Sequence, residues 1–213
     1  RALELIIKGH VSTIDCCKAN DRVFFCTCGV GFDAAVSQKF AEEKRRGSLT
    51  YIKNTVAEYL SYKPEPYELL VDNQTIKEKA FLVACANASQ YGNNAFIAPH
   101  ANIQDGRMDL TILSPFTPLD IAPLAIQLFT KQIDRNSKIK TMKAQQVTII
   151  RQNPGVMHLD GEPVMADSRI DISIMPQSLH VVTPEVVSFT EEVHNLFGEV
   201  TRFFDKKLPY IFR

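Results

Sequence analysis

The stretch His158-Leu159-Asp160-Gly161-Glu162-Pro163 sets an Asp-Gly pair between two segments that read as strands, and it constrains the fold more than any other short run in the chain. Asp-Gly in that setting is the strongest local signal for a tight β-hairpin, because both turn residues must take a left-handed backbone. Weaker versions of the signal recur. Ala19-Asn20-Asp21 separates strands expected over residues 11–15 and 22–28, and Asp72-Asn73 separates residues 67–71 from 75–79. Residues 81–86 are apolar throughout, which marks a strand buried on both faces. Further strands are expected over 108–113, most of 138–151, 156–159, 169–175 and 179–182, with Asn153-Pro154-Gly155 as a turn. The fold class is therefore mainly β (α+β), antiparallel, with a few helices on its flank.

Helices are expected where the apolar period changes. One runs from Ala34 to Arg46 behind Gly29-Val30-Gly31-Phe32-Asp33; another, capped by Ser48, spans 49–62 and is stopped by Pro64 and Pro66. Pro118 opens a third that ends at Leu128 or Phe129, with a kink expected at Pro123. A fourth, over 187–207, carries Val193, Leu196, Phe197, Val200, Phe203 and Phe204 on one stripe, which suits packing on protein ahead of attachment to a membrane surface. Residues 1–9 look like the end of a helix closed by Gly9, as if the chain were cut from something longer. The expected organisation is a β-rich domain over 1–184 and an amphipathic helix with a tail over 185–213.

Bulk composition excludes several classes. The 213 residues suit one sizeable domain, and 24 basic against 24 acidic side chains leave no global field to attract nucleic acid. No apolar run is long enough to span a bilayer and no signal-peptide pattern opens the chain. The 5 cysteines, with Cys16-Cys17 and Cys26-x-Cys28 in apolar segments, lack zinc-site spacing and read as reduced residues of a cytoplasmic protein, peripherally membrane-associated at most.

Several stretches carry chemistry in a definite order: Gly29-Val30-Gly31-Phe32-Asp33, the run Arg46-Gly47-Ser48-Leu49-Thr50-Tyr51-Ile52, Asn87 at the end of a buried strand, Tyr91-Gly92-Asn93-Asn94 with Pro99, Ala101 to Asp109, and Asp160-Gly161-Glu162. Each has a plain structural reading as a turn or a solvated helix end. Together they resemble the C-terminal domain of the diacylglycerol kinase and sphingosine kinase superfamily, especially the bacterial lipid kinases, over roughly residues 1–185.

That resemblance implies a β-sandwich-like domain and a set of roles. Glu162 would be the proton acceptor and Asp160 its assistant, through charge or water-mediated contacts. Asp33 and Asn87 would border the substrate cleft. Magnesium would be held by the carboxylate of Asp105 with the backbone carbonyls of Asn102 and Arg107, a donor set suited to an oxygen-loving cation that keeps several waters. Two departures stand out: relatives usually carry consecutive glycines where this chain has Gly92-Asn93-Asn94, and Gln104 replaces a second Asp found in some relatives. Asparagine tolerates the left-handed backbone such a turn needs.

The implied activity is ATP-dependent phosphorylation of a hydroxyl of diacylglycerol or a related lipid, with Mg2+ as cofactor and ATP as co-substrate. Phosphoryl transfer needs phosphates positioned, their charge offset and a group to receive the acceptor's proton. The family's Gly-Gly-Asp-Gly-Thr nucleotide grip occurs nowhere in this chain, so the fragment alone is expected to be inactive and to partner its own N-terminal domain. A transient membrane surface and the lipid acceptor complete the expected partners, and strand edges left open by a missing domain could pair in a homo-oligomer. An NAD kinase-like enzyme and a non-catalytic lipid-binding or interaction module are the competing readings.

Overall fold

The computed structural model describes residues 2–42 and 62–184. The basic run 44–46, the Ser48 cap, nearly all of the helix expected over 49–62 and the one over 187–207 lie outside the described residues. The chain divides into two compact units, Arg1–Ser12 with Val181–Arg213, and Thr13–His180. In the first, α1 (Ala2–Lys8) ends at Gly9, and the Thr183 N–H donates to the His10 carbonyl.

Among the described residues twelve strands form two antiparallel six-stranded sheets, all but the ends of the first and last strands lying in the second unit, which bears out the mainly β, sandwich-like expectation. One sheet runs β2 (Arg22–Phe24), β1 (Val11–Ala19), β12 (Arg169–Val182), β9 (Gln146–Arg151), β4 (Glu65–Val71), β5 (Gln74–Ala80). The other runs β11 (Glu162–Ala166), β10 (Gly155–Leu159), β3 (Thr27–Gly31), β6 (Leu82–Ala86), β7 (Met108–Leu113), β8 (Ile139–Ala144). Between them lies one core, in which Leu69, Val147, Ile149 and Ile170 from the first sheet belong with Val30, Val83, Leu110, Ile112 and Met157 from the second. Each such side chain contributes about 1.5–3 kcal/mol on burial. β6 is buried at every position, as its unbroken apolar run predicts.

The second sheet also has a covered outer face. There Phe81, Leu82, Ala84, Ala86, Ile97, Leu113 and Leu124 form a second core with Phe32 and Tyr91 at its margin. Its cover comes from α2 (Phe32–Glu42), the segment 88–104 and α3 (Ile121–Phe129), which follows a 3-10 turn at Pro118–Asp120. Pro123 sits in the first turn of α3, where a backbone N–H has no carbonyl of that helix to meet.

Three hairpins fall where their turn residues predict, at Asn20-Asp21, Asp72-Asn73 and Asp160-Gly161. Asn20, Asp72 and Asp160 have φ of 50, 47 and 51°, in the left-handed region. Elsewhere the strands are divided differently from expectation. The run 22–28 breaks at Phe25-Cys26 into β2 and β3, which belong to different sheets. The run 138–151 breaks at Gln145 into β8 and β9, again in different sheets. Conversely, 169–175 and 179–182 are one strand, β12, bent at Gln177, whose φ is 49°.

Each irregularity is stitched by an aspartate. The Asp160 carboxylate accepts the N–H groups of Phe25 (2.8 Å), Cys26 (2.7 Å) and Thr27 (2.9 Å). The Asp72 carboxylate accepts those of Gln145 (3.0 Å) and Gln146 (2.8 Å). Buried Asp15 accepts Gln177 N–H at 2.7 Å and Gly106 N–H at 2.8 Å. Backbone groups that leave a sheet ladder need other partners, and a carboxylate meets several at once.

Candidate functional site

The register of the second sheet decides which candidate residues meet. Leu159 pairs with Cys28, Thr27 with Ala86, and Ala86 with Asp109, so the end of β10, the start of β3, the end of β6 and the start of β7 lie in one row. Asp160 and Glu162 at the β10–β11 turn, Asn87 after β6, and the Asn102–Arg107 segment before β7 therefore gather at one end of this sheet. With neighbouring strands about 4.8 Å apart, the three steps from β10 to β7 span about 14 Å.

Glu162 and Asp160 are both exposed at that end. They do not act as equivalents. Asp160 is a turn residue whose carboxylate is taken up by the three N–H groups of the β2–β3 crossing, whereas Glu162 opens β11, opposite Leu159. Asn87 is fully buried, and its amide donates to the carbonyls of Asp15 (2.9 Å) and Phe25 (2.8 Å). Its own backbone N–H donates to Cys26 O at 2.9 Å. Asp160 and Asn87 thus grip the same crossing from opposite strands, while the Asn87 Oδ1 has no hydrogen-bond partner among the described residues.

Asp33 lies in the first turn of α2, over the outer face of the sheet. Its Oδ2 accepts the Tyr91 hydroxyl at 2.9 Å and meets His158 Nε2 at 3.1 Å, while Oδ1 takes the Ala34 N–H at 2.8 Å. His158 is buried, and its Nδ1 lies 3.4 Å from the Gly161 N–H, so the ring bridges Asp33 to the Asp160-Gly161 turn. With Nδ1 accepting, Nε2 carries the proton toward Asp33. Gly29, the partner of His158 in the ladder, leaves the room: a Cβ there would stand 2.2 Å from Asp33 Oδ2 and 2.7 Å from His158 Nε2.

In the Tyr91-Gly92-Asn93-Asn94 turn both asparagines take the left-handed backbone. Asn93 and Asn94 have φ of 49 and 62°, and the Tyr91 N–H donates to Ala95 O at 2.9 Å.

The segment proposed for magnesium forms a set of short turns in which Asn102 Oδ1 accepts the Gln104 N–H at 3.0 Å and Asp105 Oδ1 the Arg107 N–H at 3.0 Å. Gln104 Nε2 donates to Thr13 O at 2.8 Å, so the residue standing for a second carboxylate serves as an anchor. Asp105 Oδ2 is 2.8 Å from the Lys143 ammonium, which also lies 2.9 Å from Asp109 Oδ2. Burial opposes the charge on Lys143, but its hydrogen bonds to Asp105 and Asp109 outweigh that and raise its pKa. The donor chemistry of Asp105 with nearby carbonyls suits a hard cation, and Lys143 competes for the same carboxylate. Among the described residues no group of three or more His, Cys, Asp or Glu is arranged to hold a metal.

The sequence reading gives no role to His158, Asp15 or Lys143. The signal for His158 was present in its place two residues before Asp160; Lys143 and Asp15 stand in ordinary strand patterns and become visible only through their partners.

Residues 26–183 match the family described as the YegS C-terminal NAD kinase beta sandwich-like domain. Among curated proteins, the chain is 27% identical over 184 residues to “Probable lipid kinase YegS-like” of Shewanella frigidimarina, covering 85% of this chain and 59% of that protein. It is 26% identical over 195 residues to “Diacylglycerol kinase” of Mycobacterium tuberculosis, covering 86% and 61%. A crystal structure of a diacylglycerol kinase from Bacillus anthracis superposes with a TM-score of 0.59 at 19% identity, covering 87% of this chain and 59% of that one, and so shares its fold. The chain spans about three fifths of the length of the curated relatives it matches. With the match running through both sheets, the chain belongs to the family of YegS C-terminal NAD kinase β-sandwich-like domains.

Proposed function

We propose that this chain is the acceptor-side part of an ATP-dependent lipid kinase that phosphorylates a hydroxyl of diacylglycerol or a related lipid. What supports the reading is the gathering of Asn87, Asp160 and Glu162 at one end of a single sheet, beside Asp33 on its covered face, in a chain whose relatives are named lipid and diacylglycerol kinases.

In this reading Glu162 receives the proton of the acceptor hydroxyl. It is exposed at the turn, and its position is set by the pairing with Leu159. Asp160 keeps the turn on the β2–β3 crossing and adds negative charge beside the base. Asp33, held by Tyr91 and His158, and Asn87 border the acceptor cleft. Asp105, with the carbonyls of Asn102 and Arg107, would hold Mg2+, which when bound offsets phosphate charge. ATP would be held mainly by an N-terminal domain with its own glycine-rich grip, so the chain by itself is inactive. Among the described residues no helix is long and apolar enough to cross a membrane.

Intact protein assayed with labelled ATP and diacylglycerol tests the proposal. Glu162→Gln should lower the rate about 100-fold or more, the usual contribution of a positioned base. A Glu162→Gln protein working at the parent rate would remove the assignment, and transfer to NAD in preference to lipid would replace the acceptor.

A further inference from the structure

We infer that the outward side of α3, with Leu119 before it, is a membrane-docking surface that rests on anionic lipid and presents the covered face of the second sheet to the bilayer. The inference rests on the lipid kinase reading and names a surface that reading does not supply.

The first observation is the helix itself. From Ile121 to Phe129 it holds no charged residue, and among its nine side chains only Leu124 is buried. Leu119 is 88% exposed, Ile126 64%, Phe129 57% and Ile121 40%. A helix that merely covers a sheet turns its apolar stripe inward and its polar face to water. Here the inward stripe is met by Leu124 and Leu128, and the outward side is apolar as well. Single exposed apolar residues are ordinary; four on one short ridge mark an interaction surface.

The second observation is charge. At the C-terminal end of α3, Lys131 and Arg135 are exposed and no carboxylate among the described residues pairs with either. Lys131 is held over the Phe96 ring, with its Nζ 4.4 Å from the centroid. Two carboxylates lie close by: Asp120, whose ionised form is favoured by the Thr117 N–H and hydroxyl it accepts, each at 2.8 Å, and by Lys138, and Asp134, 3.3 Å from His100. Lys138, half-buried, offsets Asp120, and Lys140 is paired with Glu78, so among the described residues the cations left beside the helix for an anionic surface are Lys131 and Arg135. An exposed apolar helix side with cations following its C-terminal end fits the boundary between acyl chains and anionic headgroups, where lysine and arginine reach the phosphates while the apolar side chains enter the hydrocarbon.

The third observation is continuity with the candidate site. Leu124 and Leu128 of α3 belong to the same outer core as Phe32 and Tyr91, the neighbour and the partner of Asp33. The segment carrying Tyr91 is tied to α3 by the Phe96 N–H donating to Leu128 O at 2.9 Å. Docking through α3 therefore brings a bilayer to the face of the sheet on which Asp33 lies.

Because the chain contains no tryptophan, Phe129→Trp places a single fluorescent reporter on the ridge. In this chain its emission should be that of exposed indole, shift to the blue on adding phosphatidylcholine vesicles containing phosphatidylglycerol, and be quenched by lipids brominated on the acyl chains. Ile126→Glu, and separately Leu119→Glu, should lower vesicle binding about tenfold or more with the thermal midpoint unchanged, since both positions are exposed. Lys131→Glu or Arg135→Glu should weaken binding to anionic vesicles about fivefold or more each and steepen no response to neutral ones. In the intact kinase Ile126→Glu should spare phosphorylation of a short-chain acceptor dispersed in water and reduce that of bilayer lipid. Emission already blue-shifted without vesicles would mean that protein covers the ridge, a second copy if the shift depends on concentration and the rest of the chain if it does not; either result, or no response to anionic vesicles, overturns the inference. Vesicle binding is read without catalysis, so failure of the Glu162 assignment leaves this test standing.

Discussion

The carboxylate of Asp160 accepts the backbone N–H of Cys26 at 2.7 Å, joining residues 134 apart in sequence at the point where the chain passes from one sheet to the other. Two further N–H groups of the same crossing converge on that carboxylate. Asp160→Ala should therefore cost about 1.5–3 kcal/mol of stability, the range for hydrogen bonds to a charged group, whereas Glu162→Gln should change it by less than about 0.5 kcal/mol. Urea denaturation of both variants separates a fold role from a chemical one. Equal stabilities would show that the crossing finds other partners.

Gly29→Ala should be poorly tolerated although the change is one methyl group. The added Cβ meets Asp33 Oδ2 and His158 Nε2 at 2.2 and 2.7 Å, so the pair must separate. A loss of about 1–3 kcal/mol is expected, as for other overpacked sites. Tyr91→Phe, which removes one donor to Asp33 and leaves the geometry alone, should cost about 1 kcal/mol. Thermal denaturation of the two variants checks the order.

Lys143→Met frees Asp105 and Asp109 from a shared ammonium. In the absence of divalent cation the variant should be less stable by about 1 kcal/mol or less, since the pair is part-exposed and screened. The lysine's folded pKa lies above its ordinary value, so its contribution is full below about pH 10.4 and fades as pH rises through the higher folded value. The gap between parent and variant should be flat near neutrality and close at strongly alkaline pH. Magnesium should raise the thermal midpoint of Lys143→Met more than that of the parent; no response in either protein would argue against cation binding at Asp105.

The cysteines should report on the same architecture. Cys16, Cys17, Cys28 and Cys85 are buried, and Cys26 is exposed. Burial, with smaller contributions from Cys16 and nearby carboxylates, pushes the Cys17 thiol up to about 12. Cys26 is raised by partial burial and then by the charge of Asp160. Maleimide should label Cys26 alone in the native protein and all 5 thiols in urea. Asp160→Asn should speed labelling of Cys26, because thiolate, the reactive form, no longer faces a carboxylate.

The amino-acid sequence by itself determined the hairpins, the doubly buried β6 and the left-handed turn at Asn93-Asn94, because each depends on backbone preferences of residues a few places apart. The family resemblance carried by its motifs named Glu162, Asp160, Asn87 and Asp33 as candidates. Where a strand changes sheet was decided only by tertiary structure. The apolar pattern runs on through Phe25-Cys26, the Gln145-Gln146 pair carries no Gly, Pro, Asn or Asp to mark a turn, and the groups that receive the displaced N–H donors, Asp160 and Asp72, lie 134 and 74 residues away from Cys26 and Gln146. The same holds for the pairing of His158 with Asp33 across 125 residues and for Lys143 between Asp105 and Asp109. A carboxylate shows in sequence that it can accept hydrogen bonds; which donors it meets depends on strand register, which is set by burying one continuous core between two sheets.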